Sequence, residues 1–96
     1  MNLTDKEKKM IENLIRNDYS DSGLESTPWV FALQECGVND FGLNEYKGIL
    51  GSLVKKGLVE IIDSEEKGRS NDFYCYLTEK GKEVTKELFS KKYDWL

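Results

Sequence analysis

The chain has 96 residues, 39% hydrophobic and 33% charged, with 14 Lys and Arg against 18 Asp and Glu for a net charge of −4. That length holds one core and not two, and no apolar run approaches the roughly 20 residues of a membrane span. The chain has no histidine, which excludes Ser-His and Cys-His nucleophile pairs and the usual proton shuttle near neutral pH.

The amino end, Met1 to Lys9, is polar where a signal peptide needs an apolar stretch. A soluble, cytoplasmic protein is expected. Thr4-Asp5-Lys6-Glu7 has the spacing of a capping box, so a helix starts here. Met10, Ile11, Leu14 and Ile15 form its core stripe, with Lys6, Lys8, Lys9, Glu12 and Arg16 facing water, and its end is expected near Asp18. Tyr19 to Ser26 carries turn formers without a helical period and reads as a loop with a short extended piece at Leu24.

Thr27-Pro28 fits an N-cap followed by proline at the first helical position. A short second helix with Trp29, Val30, Leu33 and Cys36 on its apolar side would then stop at Gly37. The turn Gly37 to Gly42 leads into a third helix from about Leu43 to Lys56, with Tyr46, Ile49, Leu50, Leu53 and Val54 toward the core and Gly57 as terminator. Leu58 to Ile62 is short and β-branched, a strand. Asp63 to Asp72 is a polar loop, and Phe73 to Leu77 a second strand that pairs with the first as an antiparallel hairpin. Thr78-Glu79-Lys80 opens a last helix with Val84, Leu88 and Phe89 on its apolar side. Cys36 and Cys75 lie far apart without a CxxC, so they read as small buried residues and not as a zinc site. Walker and dinucleotide-binding glycine loops are absent, since Gly48, Gly51 and Gly57 do not follow a strand. No enzyme activity, metal or cofactor is expected.

Two segments carry a resemblance. Gly48-Ile49-Leu50-Gly51-Ser52-Leu53-Val54-Lys55-Lys56-Gly57-Leu58-Val59 resembles a recognition helix running into a first wing strand. Tyr76-Leu77-Thr78-Glu79-Lys80-Gly81 resembles the second wing strand entering a last helix. Together they are similar to the winged-helix domains of MarR- and PadR-type transcriptional regulators, over about residues 3 to 90. The resemblance implies one α+β domain over 1–96: a three-helix bundle with a helix-turn-helix, a two- or three-stranded antiparallel wing and a carboxyl-terminal helix. It also implies that the third helix enters the major groove of double-stranded DNA while the wing touches backbone or minor groove.

On that mapping the exposed side of the third helix is Asn44, Lys47, Gly48, Gly51, Ser52 and Lys55. Asn44 offers a donor and acceptor suited to adenine, Ser52 a hydroxyl for base or phosphate, and Lys47 and Lys55 charges for phosphates. Glycine inside a helix costs about 1 kcal/mol relative to alanine, so Gly48 and Gly51 point to close approach, by DNA, a protein or another part of the domain. Lys67 and Arg69, flanking Gly68, match a basic wing tip, and equally a solvated turn.

Residues 43–57 carry a charge of +2 and residues 58–72 a charge of −3. A basic helix beside an acidic loop leaves two functions open: a DNA-binding regulator, or a protein-interaction module that docks through the acidic segment. The aromatic tail Tyr93-Asp94-Trp95-Leu96 either packs back on the first helix or joins a homodimer through the first and last helices.

Overall fold

A computed structural model of the chain describes residues 2–16, 19–20, 23–25, 30–31, 41–62 and 74–96. Within them the order is α1 (Asp5–Ile15), β1 (Val30–Phe31), α2 (Leu43–Lys55), β2 (Val59–Ile62), β3 (Tyr74–Leu77) and α3 (Glu79–Phe89). This is an α+β arrangement of three helices and an antiparallel sheet among the described residues.

α1 starts where the capping box places it. The Glu7 amide donates to Thr4 Oγ1 at 3.1 Å, and the Thr4 amide donates to Glu7 Oε1 at 2.9 Å. The helix ends at Ile15, short of the expected Asp18, with Arg16 as C-cap; Asn17 and Asp18 are outside the described residues. Tyr19 and Ser20 hold helical backbone, not loop, and Leu24 lies in a turn, not an extended piece. Both Tyr19 and Leu24 are buried. The phenol oxygen of Tyr19 accepts from the Leu77 amide at 2.8 Å, so an apparent loop residue anchors β3.

The expected second helix is corrected at Val30 and Phe31, which form a short strand paired with Cys75 and Tyr74 of β3. A β-branched and an aromatic residue favour extended backbone, and the edge of β3 supplies hydrogen-bond partners. The rest of that helix, Trp29, Leu33 and Cys36 included, lies outside the described residues, as do the Gly37 to Asp40 part of the turn, the 63–72 loop and Phe73. The hairpin pairs as expected, Val59 opposite Leu77 and Ile62 opposite Tyr74. With β1 the sheet has the order β1-β3-β2.

Met10, Ile11, Leu14 and Ile15 of α1 meet Tyr46, Leu50 and Leu53 of α2, and the sheet closes this core with Val59, Cys75 and Leu77. Two expected orientations differ. Val54 is 37% exposed and Leu88 36% exposed, because α2 turns Tyr46, Leu50 and Leu53 inward and α3 buries Gly81, Lys82 and Thr85 instead. At Gly81 the helix rides directly on the main chain of Leu58.

That contact is built around the end of α2. Gly57, at φ +77°, donates to the Val54 carbonyl at 3.0 Å, and the Leu58 amide donates to the Leu53 carbonyl at 3.1 Å, a Schellman termination. The Leu58 carbonyl then accepts from the Thr78 amide at 3.0 Å, while Thr78 Oγ1 donates to the Gly57 carbonyl at 2.5 Å and accepts from the Gly81 amide at 3.0 Å. A β-carbon at Gly81 would sit 2.1 Å from the Leu58 carbonyl oxygen. Gly81→Ala should therefore cost about 3 kcal/mol or more. Gly57→Ala, left-handed but with room for the methyl, should cost only about 1–2 kcal/mol. Urea unfolding checks both, and equal, small losses would refute the close approach.

Candidate nucleic-acid interface

α2 divides into three sides. Tyr46, Leu50 and Leu53 face the core, and Glu45, Ser52 and Lys56 border α1 through hydrogen bonds to Lys6 and Glu7. Asn44, Lys47, Gly48, Gly51 and Lys55 are exposed. Five of the six sequence-predicted positions on this helix thus share one solvent-facing stripe. Ser52 is the correction: it is half-buried, and its hydroxyl donates to Glu7 Oε2 at 2.9 Å. It sits one step around the helix toward α1, where a buried carboxylate is available. Lys67 and Arg69 lie outside the described residues.

At Gly48 and Gly51 an added β-carbon would meet no heavy atom within 4 Å. Packing against another part of the domain, one of the reasons open for these glycines, therefore has no counterpart among the described residues. The stripe is smooth main chain flanked by two lysines. Its neighbouring carboxylate, Glu45, is ion-paired with Lys6 of α1, which partly offsets its field beside the stripe even though an exposed pair adds little stability.

The α1 border is held by Glu7, only 3% exposed. Lys56 Nζ lies 2.8 Å from both of its carboxylate oxygens and 3.2 Å from the Asn2 carbonyl. Burial alone would raise the Glu7 pKa. Hydrogen bonds from Lys56, the Thr4 amide and Ser52 outweigh burial and bring it from 4.5 down to about 2. Sequence reasoning found Glu7 only as a capping residue and Lys56 only as the end of the third helix. The available signal was that Ser52 and Lys56, four residues apart, share a side of α2.

A second carboxylate on α1 was expected in water and is buried. Glu12 is 7% exposed, with Lys92 Nζ at 2.5 Å, the Tyr93 hydroxyl donating at 2.9 Å and Lys9 Nζ at 3.8 Å. The Lys92 hydrogen bond leads the effects that hold its pKa below the usual carboxylate range, against the opposing effect of burial. These contacts fold the tail back onto α1, and the Tyr93 ring meets Phe89 edge-on at 6.3 Å between centroids.

No family model, curated protein or solved structure matches this chain. Among the described residues no group of three or more Cys, Asp or Glu is placed to hold a metal, and no helix is long and apolar enough to cross a membrane.

The depressed pKa of Glu7 means that its carboxylate stabilises the fold. Its stabilisation is complete above the ordinary value near 4.5 and disappears as pH falls toward about 2. The full effect is on the order of 3 kcal/mol, reduced by solvent around Lys56, whose side chain is 31% exposed. Glu7→Gln should destabilise the protein at pH 7 and flatten its acid limb, so that the two proteins converge near pH 2. Urea unfolding at stepped pH measures this, and parallel curves down to pH 2 would show that the carboxylate is not so held.

Proposed function

We propose that the chain is a small winged-helix DNA-binding protein, a transcriptional regulator whose α2 lies in the major groove. The observation that carries this reading is the exposed stripe Asn44, Lys47, Gly48, Gly51 and Lys55, lacking β-carbons at its centre and with Glu45 ion-paired beside it. A helix reads base edges only if its axis comes deep into a groove, and missing side chains at positions 48 and 51 permit that. Asn44 then addresses an adenine edge, and Lys47 and Lys55 address phosphates. The element order and the sheet order β1-β3-β2 support the winged-helix layout, with Lys67 and Arg69 of the 63–72 loop as the wing's phosphate contacts.

The net charge of −4 does not oppose this reading as strongly as it suggests. At physiological salt the Debye length is about 8 Å, so charges behind the core contribute little at the stripe.

Two double variants test the stripe, and the first has opposite signs for stability and binding. Gly48→Ala with Gly51→Ala should stabilise the fold by about 1–2 kcal/mol through helix propensity, yet weaken duplex binding about tenfold or more by holding α2 off the bases. Lys47→Ala with Lys55→Ala should lower the slope of log affinity against log salt by about two. Fluorescence titration of a mixed-sequence duplex, beginning at about 50 mM salt, measures both. Failure of the wild-type protein to bind there would remove the groove reading and leave the acidic 58–72 segment as a protein-docking surface.

A further inference from the structure

Lys55 and Lys56 are consecutive, yet the structure treats them oppositely. Lys55 is exposed on the stripe, whereas the Lys56 amine sits 2.8 Å from both oxygens of Glu7. Ser52, one turn earlier on the same side of α2, donates to that carboxylate at 2.9 Å. Glu7 does not face the stripe, being 3% exposed and fixed from its own helix by the Thr4 amide. One buried carboxylate on α1 therefore engages both a cation and a hydroxyl bordering the candidate DNA-facing side.

A charge-assisted contact to both carboxylate oxygens is among the stronger hydrogen-bonded arrangements, and removing its cation would strand a buried charge. A phosphate at the edge of a DNA complex, still in water, offers Lys56 a weaker competing site. We propose that Glu7 is a negative determinant of nucleic-acid affinity, withholding Lys56 and Ser52 from the backbone phosphates that Lys47 and Lys55 address. The proposal rests on the groove reading of α2. Phosphate contacts supply most non-specific affinity, whereas base edges carry sequence. By removing a phosphate contact next to the reading face, Glu7 lowers sequence-independent binding without touching Asn44 or the glycines. It is a positioning residue, acting through Lys56.

A purely structural role predicts the reverse sign, because loosening the α1 border would misplace α2 and reduce binding. The test compares wild type, Lys55→Gln, Lys56→Gln, Glu7→Gln and the Glu7→Gln/Lys56→Gln double variant on a mixed-sequence duplex, from about 50 to about 200 mM salt. Lys55→Gln should lower the slope of log affinity against log salt by about one, and Lys56→Gln should leave it unchanged. Glu7→Gln, kept well below its unfolding temperature, should steepen the slope by about one, and the double variant should return it to the wild-type value. A Glu7→Gln slope equal to or shallower than wild type overturns the proposal. Should Glu7→Gln not fold, Lys56→Gln decides alone: an unchanged slope supports the proposal, and a loss matching that of Lys55→Gln overturns it. A wild-type protein that binds no duplex removes the groove reading itself, and the inference with it, an outcome distinct from a bound wild type with equivalent lysines.

Discussion

The closeness of α3 to the Leu58 carbonyl constrains the rest of the fold. Gly57 turns the chain at φ +77°, which uses the Leu58 amide to close α2 and leaves its carbonyl for Thr78. Gly81, with no β-carbon, lets α3 start at that same point. The end of α2, the start of β2, the end of β3 and the start of α3 are thereby joined through a few main-chain groups. An ordinary side-chain interface between these elements would accommodate a methyl group by repacking, but main chain cannot yield in that way. The direction in which α2 presents its outer side is thus coupled to the hairpin at one end and to α1 along its flank.

α1 contributes two buried carboxylates with different duties. Glu7 holds Ser52 and Lys56 of α2, and Glu12 holds Lys92 and Tyr93 of the tail. Five residues apart, they lie on different sides of a helix of 3.6 residues per turn, so one helix grips two neighbours. Each pairing sets one carboxylate against one ammonium, so the net charge is unchanged while both charges are held on the α1 side. Charge at the surface is uneven: the chain is acidic by count, while the stripe keeps Lys47 and Lys55 exposed and its adjacent acid paired. A local field of this sign does not require a basic protein.

The elements legible in the sequence were those written in local chemistry. The capping box at Thr4 and Glu7, the glycine end of α2, the β-branched strand after it and the Thr78 cap all depend on neighbours within a few residues, and all are found at or within a residue of their expected places. What could not be read depends on distant partners. Val30 and Phe31 are extended because β3 lies alongside, and Tyr19 is buried because the Leu77 amide meets its hydroxyl. Glu12 and Lys82 follow the same rule: a charged residue at a solvent-like spacing is buried once a tertiary contact supplies its partners, Lys92 and Tyr93 for one and the Glu25 carbonyl for the other. At the candidate site, periodicity separated the outer stripe from the core side at every position but Val54, which is exposed. It could not separate Ser52 from that stripe, since only the position of α1 decides which side its hydroxyl serves.

Gly48 and Gly51 bring the energetic and functional considerations together. In a 13-residue helix they withdraw about 2 kcal/mol of helix propensity, and alanine would fit at both positions without touching any described residue. α2 remains ordered because its stability comes from elsewhere: three core side chains, the Schellman turn and the contacts of Glu7 with Ser52 and Lys56. The anchors lie on the inner and α1 sides, and the cost lies on the outer side. A helix fastened in this way can carry a weak, smooth exterior, and smoothness confers an advantage only where another surface must come close. On the proposed groove reading, the two exposed lysines would meet the phosphates on the rims of a duplex groove and the bare main chain would lie toward the base edges at its floor.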